Sequence, residues 1–279
     1  MYLVIEPLDR WTDISSRIEA CVADISDWMR SDLLKQNQDK TELIVFAPKP
    51  RVKDFSDCRL SFDGTVVSDV SCVRNLGVFF DKKKLSIEKQ VSATSKSCFY
   101  QIRNIGHIRT YITDDACKTL VNSLVTSRLD HGNAMLYGLP ANITNKLQRV
   151  QNTTARLISR TKKHQHITLI PVSLHWIPVH YRCQYKLLMY VFKSLHGSAP
   201  IYLHQLVSVY QPTRSLRSEN CALIKPPRIR TKTYGERRFD KAASTLWNIL
   251  PGQMRNEQSL SCFKKNVKTH FFRLAYPDS

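Results

Sequence analysis

Glycine is scarce, with 8 in 279 residues. That scarcity weakens any reading built on Gly-rich turns or phosphate-cradling loops. The 8 cysteines never come close together. Cys21, Cys58, Cys72, Cys98, Cys117, Cys183, Cys221 and Cys262 form no CxxC pair and no cluster. They read as reduced thiols, mostly packed as small hydrophobes. No apolar run approaches the length of a membrane span. The start, MYLVIEPLDRW, has no basic leader and no small-residue cleavage site, so no signal peptide is expected. The expected location is therefore intracellular, nucleus and/or cytoplasm, and not secreted. The sequons at Asn142 and Asn152 lose their meaning for the same reason.

Acidic side chains also run short, but only in one part of the chain. The net charge is +19. Residues 1–90 hold 14 Lys+Arg and 15 Asp+Glu, leaving 28 of the 42 basic and 8 of the 23 acidic side chains in residues 91–279, a net of +20. A stretch with that excess repels itself unless it meets a polyanion. Nucleic acid is the usual one, and an anionic membrane surface is the main rival.

Hydrophobic residues make up 42% of the chain, a globular composition. The patterning predicts an α+β protein, mainly α. Ile14, Ile18, Cys21, Val22, Ile25, Trp28, Met29 and Leu33 recur at helical spacing and predict a helix over 12–36, capped by Thr12 or Asp13. Leu43–Phe46 reads as a buried strand. Leu60–Val67 reads as a hairpin, with Asp63-Gly64 supplying a type I′ turn. A further strand is expected from Val73 to Phe80. Helices are then predicted over 86–108, 114–129, 143–160, 178–196, 200–208, 238–249 and 259–274. Residues 210–236, rich in Pro, Arg, Lys, Ser and Thr, read as a basic linker or irregular arm.

Several blocks, taken in order, resemble the rear part of a non-LTR retrotransposon (LINE, Jockey-type) reverse transcriptase. Asn37-Gln38-Asp39-Lys40-Thr41-Glu42 resembles motif D, which follows the catalytic strand of the palm. Val73-Arg74-Asn75-Leu76-Gly77-Val78 is similar to the primer grip and its Leu-Gly hairpin. Ser95-Lys96-Ser97-Cys98-Phe99-Tyr100 would open the thumb. Leu129-Asp130-His131-Gly132-Asn133 and Leu147-Gln148-Arg149-Val150-Gln151-Asn152 are similar to thumb segments. Ser173-Leu174-His175-Trp176-Ile177-Pro178 and Leu246-Trp247-Asn248-Ile249-Leu250-Pro251 resemble the C-terminal region. Each block alone is weak; their number and order carry the resemblance.

The resemblance implies an organisation. Residues 1–85 would be a partial palm of one helix plus antiparallel strands, bearing the primer grip. Residues 86–163 would be a helical thumb, 164–209 a helical extension, 210–236 the linker and 237–279 a C-terminal helical segment. It also implies roles. Lys40 would be the motif-D lysine, near the incoming triphosphate, where an ammonium can neutralise developing charge or protonate a leaving pyrophosphate. Arg74, Asn75, Leu76 and Gly77 would hold the primer end. Lys96, Arg103, Arg109, Lys118, Arg149, Arg156, Arg160, Lys162 and Lys163 are candidates for phosphate contact, which gives affinity with little sequence choice.

Polymerases of this class use two metal-bound cations held by carboxylates. Their Tyr-x-Asp-Asp hairpin would fall before Met1. Tyr111-Ile112-Thr113-Asp114-Asp115 is not a substitute: its spacing is off by one, and Thr113 as N-cap with two acids in the first helical turn accounts for it. Mg²⁺ belongs to the intact family enzyme, and no cofactor is expected to bind this chain alone. The histidines from His164 to His204 match no zinc-ligand spacing, so no metal site is assigned. Trp176, Trp247, Tyr181, Tyr185, Phe239, Phe271 and Phe272 could stack on bases, but their spacing among Leu and Val favours the core.

The function expected is that of a truncated RNA-directed DNA polymerase fragment that keeps non-specific binding. Its partners would be RNA, RNA–DNA hybrid or DNA, and an upstream polymerase half, with no membrane. The alternative is a domesticated nucleic-acid-binding protein without enzymatic activity.

Overall fold

The computed structural model describes residues 10–46, 55, 57–62, 64–82, 87–162, 164–211, 222–229 and 232–277. The fold is mainly helical α+β, with two small antiparallel hairpins. It divides into two compact units, Met1–Gln90 and Val91–Ser279. Among the described residues no helix is long and apolar enough to cross a membrane.

In the first unit, helix α1 (Trp11–Ser31) buries Ile14 and Ile18 against Val45, Phe55, Cys58 and Leu60. Arg10 is the N-cap residue and no side chain caps the helix, so neither Thr12 nor Asp13 serves. Trp11 is already helical, and its ring meets Phe55 edge-on at 6.4 Å. The helix also stops short of the expected residue 36. Leu34 N donates to Met29 O at 2.8 Å and Leu33 N to Arg30 O at 3.2 Å. These are the two bonds of a Schellman stop. Its left-handed position, usually glycine, is Leu33, with φ +58°.

A leucine held left-handed is strained, and Leu33 is 95% exposed, so it gains little packing in return. Leu33→Gly is expected to raise this unit's stability by about 1 kcal/mol, read from its urea midpoint. A lower midpoint would contradict that reading.

Strands β1 (Arg59–Phe62) and β2 (Thr65–Ser68) pair antiparallel, Phe62 opposite Thr65. Asp63 lies outside the described residues; Gly64 has the positive φ, +76°, that the turn requires. The strand expected at Leu43–Phe46 is instead extended chain with one bridge, Leu43 to Asp69. The Asp69 carboxylate accepts Val45 N at 2.9 Å and also meets Lys82 Nζ. A side chain takes the place of a neighbouring strand, so no ladder propagates.

The single strand expected from Val73 to Phe80 is a second hairpin. Strand β3 (Cys72–Asn75) pairs with β4 (Val78–Asp81), Asn75 opposite Val78. Leu76 and Gly77 form the two-residue turn, with φ +47° and +82°. Two successive positive angles are the demand of a type I′ turn.

The second unit is helical. Helix α2 (Glu88–Ile108) leads into α3 (Asp114–Val121), then a wider π-helical stretch, Asn122–Thr126, and α4 (Ser127–Asp130). Thr113 caps α3, its hydroxyl accepting from Ala116 N at 3.2 Å. Then follow α5 (Ala141–Ser159), α6 (Leu169–Ser173), α7 (Val179–Leu195), α8 (Ile201–His204), α9 (Lys232–Gly235), α10 (Phe239–Ile249), α11 (Gly252–Arg255) and α12 (Leu260–Ala275). Leu188, Val191, Phe192, Ala243, Trp247, Phe263 and Val267 form the centre of one core shared by α7, α10 and α12. Phe192 stacks on Phe263 at 4.5 Å.

The blocks quoted for the family resemblance turn out to brace one another here. Gln148 Oε1 accepts Val179 N and Gln151 Nε2 donates to Ile177 O, both at 2.9 Å. Two glutamines of α5 thus satisfy backbone groups where Pro178 starts α7. Asp130 takes a bidentate contact from Arg182 and a bond from Asn133 Nδ2 at 3.2 Å. Gly132, at φ +64°, reverses the chain between them.

Within the stretch 210–236, expected to be a basic linker or irregular arm, residues 222–229 are irregular but anchored. Trp247 Nε1 donates to Ala222 O at 2.7 Å, and the Asn248 amide makes two 2.9 Å bonds to the Ile224 backbone. Ile224 is buried, and Val209 bridges to it. The lack of apolar periodicity hid this anchor because one inserted isoleucine has no period.

Trp176 is half-buried rather than buried. Its backbone does the anchoring, with N donating to Pro171 O at 2.8 Å and O accepting from Tyr276 Oη at 3.1 Å. Of the thiols, Cys58, Cys98, Cys117 and Cys183 are buried, whereas Cys21 and Cys262 are exposed. Burial pushes the Cys98 thiol up to about 11 and the Cys183 thiol up to about 12. These two stay protonated at neutral pH and pack as apolar groups.

Candidate nucleic-acid interface

The basic side chains of the helical unit form rows. On α2, Lys96, Tyr100, Arg103 and His107 follow one another at steps of three or four, so they share one face. All four are exposed, Tyr100 at 58%. On α5, Arg149, Thr153 and Arg156 repeat the spacing, and Arg160 is the left-handed residue that ends the helix. Arg149 and Arg160 are exposed, while Thr153 and Arg156 are half-buried. Lys162 is exposed just beyond α5, and Lys163 lies outside the described residues. Sequence reading singled out the arginines and lysines but not Tyr100 or His107 as members of the row. Their three-and-four spacing was the available signal.

Arg109 does not belong to this surface. Its side chain is 7% exposed. Nε donates to Leu157 O at 3.0 Å, Nη1 to Ile112 O at 3.2 Å, and Nη2 to Ile158 O at 2.7 Å and Asp114 Oδ1 at 2.5 Å. The guanidinium closes the C-terminal end of α5 onto the start of α3, so the expected phosphate contact is withdrawn. Arg109→Ala should destabilise the helical unit by about 2–3 kcal/mol, since hydrogen bonds to a charged group are worth about 1.5–3 kcal/mol each and partial relaxation offsets some loss. Thermal unfolding measures it, and an unchanged midpoint would contradict the bracing role.

The Asp114 carboxyl is held below its ordinary range, chiefly by the hydrogen bond from Arg109. A lowered folded value contributes stability above the unfolded carboxylate pKa, lost as pH falls through the folded value. Asp114→Asn should therefore flatten the stability profile below about pH 4. A profile still falling as steeply would assign the acid sensitivity elsewhere. Lys118 is exposed but paired with Asp115 at 3.0 Å. Arg156 is partly committed as well, with Nη1 donating to Lys162 O and Gln165 O, each at 2.8 Å.

Between these helices lies an open cleft of about 750 Å³. Ile102, Gly106 and Leu157 contribute its apolar surface. Arg109, Arg156 and Arg160, with Thr110, Thr153 and Thr161, complete the lining. Sequence reading did not find this cleft, because its residues are contributed from two stretches about fifty positions apart.

In the first unit, Lys40 sits in a short 3-10 turn, Gln38–Lys40, with its side chain exposed. Asn37 builds that turn: its Oδ1 accepts Lys40 N at 3.2 Å and its O accepts Thr41 Oγ1 at 3.0 Å. Arg74 lies over the Phe79 ring at 5.5 Å. Leu76, 86% exposed, and Gly77 form the hairpin tip. Among the described residues, no three His, Cys, Asp or Glu side chains gather as a metal site.

Comparison with protein-family models, with curated proteins and with solved structures gives no match.

Proposed function

We propose that the helical unit grips the sugar–phosphate backbone of RNA, RNA–DNA hybrid or DNA without sequence preference, as the thumb and rear region of a non-LTR reverse transcriptase. The observation that carries the reading is the exposed row Lys96, Tyr100, Arg103 and His107, beside Arg149 and Arg160, in a stretch with net charge +20. Evenly spaced cations on helix faces suit a regular line of phosphates, and an exposed tyrosine among them can lie against sugar or base.

The palm reading of the first unit draws support from two features. The tip Leu76-Gly77 offers bare backbone at a left-handed turn, where nucleic acid could approach closely. The stripe Ile14, Ile18, Val22 of α1 continues to Ile25, but Ile25 is 42% exposed and nearby Trp28 62%. A half-covered stripe beside two-stranded hairpins favours part of a larger sheet over a self-sufficient binding module.

Because these 279 residues hold no Tyr-x-Asp-Asp hairpin, the chain alone is expected to bind a primer–template and not to extend it. Primer extension by the purified chain, abolished by changing Asp114 and Asp115, would overturn this reading. Binding to unrelated hybrid sequences with affinities within about twofold, and no extension, would support it.

A further inference from the structure

The cleft between α2 and α5 is lined unlike a simple phosphate groove. Ile102, Gly106 and Leu157 present apolar surface, whereas Arg156 and Arg160 bring cationic groups to the same opening. Arg160 has the left-handed φ of +55° that ends α5, and its side chain is 55% exposed. Its nearest carboxylate, Asp114 Oδ1, is at 3.9 Å, while Asp114 makes its 2.5 Å bond with Arg109. Among the described residues, only Nη1 of Arg156 is engaged. Both guanidinium groups can therefore take an anion.

Gly106 is the second observation. It is exposed and lies inside α2, where glycine costs about 1 kcal/mol relative to alanine. A Cβ built there would meet only Leu157 Cδ1, at 3.9 Å, an ordinary contact. Among the described residues nothing requires the side chain to be missing. What the missing side chain does is keep the apolar face of the cleft open.

An apolar wall with a cationic edge suits a flat apolar ring that carries a phosphate. We infer that this cleft receives one unpaired nucleotide of a bound strand, with its base against Ile102, Gly106 and Leu157 and its phosphate against Arg156 and Arg160. A cleft of about 750 Å³ is within the range of small-molecule sites. A fully paired duplex keeps its bases stacked inside and offers the cleft only phosphates. The site thus gives the helical unit a preference for strands with unpaired bases, which the backbone grip alone lacks. This inference rests on the nucleic-acid reading above.

The test uses the full chain and two fluorescent probes: a single-stranded oligouridylate of about ten nucleotides and a blunt RNA duplex of similar charge. Gly106→Leu fills the cleft, whereas Thr269→Leu adds the same side chain at an exposed position of α12 outside the lining. Gly106→Leu is expected to weaken the single strand about tenfold or more, in line with the loss of one base contact, and to leave the duplex within about twofold. Thr269→Leu, which should not touch the site, is expected to change neither affinity.

Equal loss on both probes, or no loss on the single strand, overturns the cleft assignment while leaving the backbone grip standing. Failure of the wild-type chain to bind either probe removes both readings together. If Gly106→Leu does not fold, photo-crosslinking the wild-type chain to a 4-thiouridine strand decides. Adducts within 102–110 or 153–161 support the site, and adducts confined elsewhere overturn it.

Discussion

Trp247→Ala is expected to remove about 3–5 kcal/mol from the helical unit, the usual cost of truncating a fully buried aromatic. Trp247 is 0% exposed and lies 5.6 Å from Phe263, ring centre to ring centre. It belongs to the core built by α7, α10 and α12, so its loss opens a cavity among all three. Its indole N–H also holds Ala222 O at 2.7 Å, which ties 222–224 onto α10. Two effects therefore coincide: lost apolar contact and an unpaired carbonyl. Trp247→Phe keeps most of the volume and drops the hydrogen bond, so it should cost less than half as much. Urea unfolding of the three proteins separates the terms. Equal midpoints for wild type and Trp247→Ala would mean that this core does not hold the unit together.

The second large effect is on binding. Replacing Lys96, Arg103 and Arg149 together with glutamine should weaken hybrid binding about tenfold or more at low salt and make the log–log salt slope shallower by about 2–3, close to one per neutralised phosphate. All three side chains are exposed. Glutamine removes the charge while keeping a polar, unbranched side chain of similar helix propensity, so the fold should survive. Lys118→Gln provides the internal control. That lysine is paired with Asp115, so its replacement should change affinity by less than about twofold. A triple variant indistinguishable from wild type would show that these rows are ordinary solvated charge.

Most of the fold was legible from periodicity, and the failures have physical causes. The longer helices of the second unit lie within a few residues of their expected bounds, because each buries a stripe at helical spacing. Helix α8 covers only Ile201–His204 of the expected 200–208 and buries none of its residues, and the short helices α6, α9 and α11 were not expected at all. The first unit was harder. Leu43–Phe46 has strand composition but finds the Asp69 carboxylate in place of a neighbouring strand. The turn inside 73–80 fell on Leu76, whose side chain gives no turn signal, although the family resemblance pointed to a hairpin there. Of the interface, net charge showed the half of the chain to search, but charge alone could not sort exposed from buried cations. Arg109 looked like its neighbours in sequence and is a brace. Thr113 caps α3 as expected, whereas the contact between Asp114 and Arg109 had no signal in the sequence. The cleft was invisible because Gly106 and Leu157 meet only when α2 and α5 are folded together.

The central claim is that the helical unit carries an organised phosphate-binding surface. The most direct test is the affinity of the wild-type chain for an RNA–DNA hybrid of roughly 20 base pairs between about 50 and 200 mM salt. The expected result is micromolar or tighter binding at the low end, with a log–log slope steeper than about −3, as several neutralised phosphates require. Absence of binding at low salt, or an affinity indifferent to salt, would contradict it and leave the basic excess without a surface to act through.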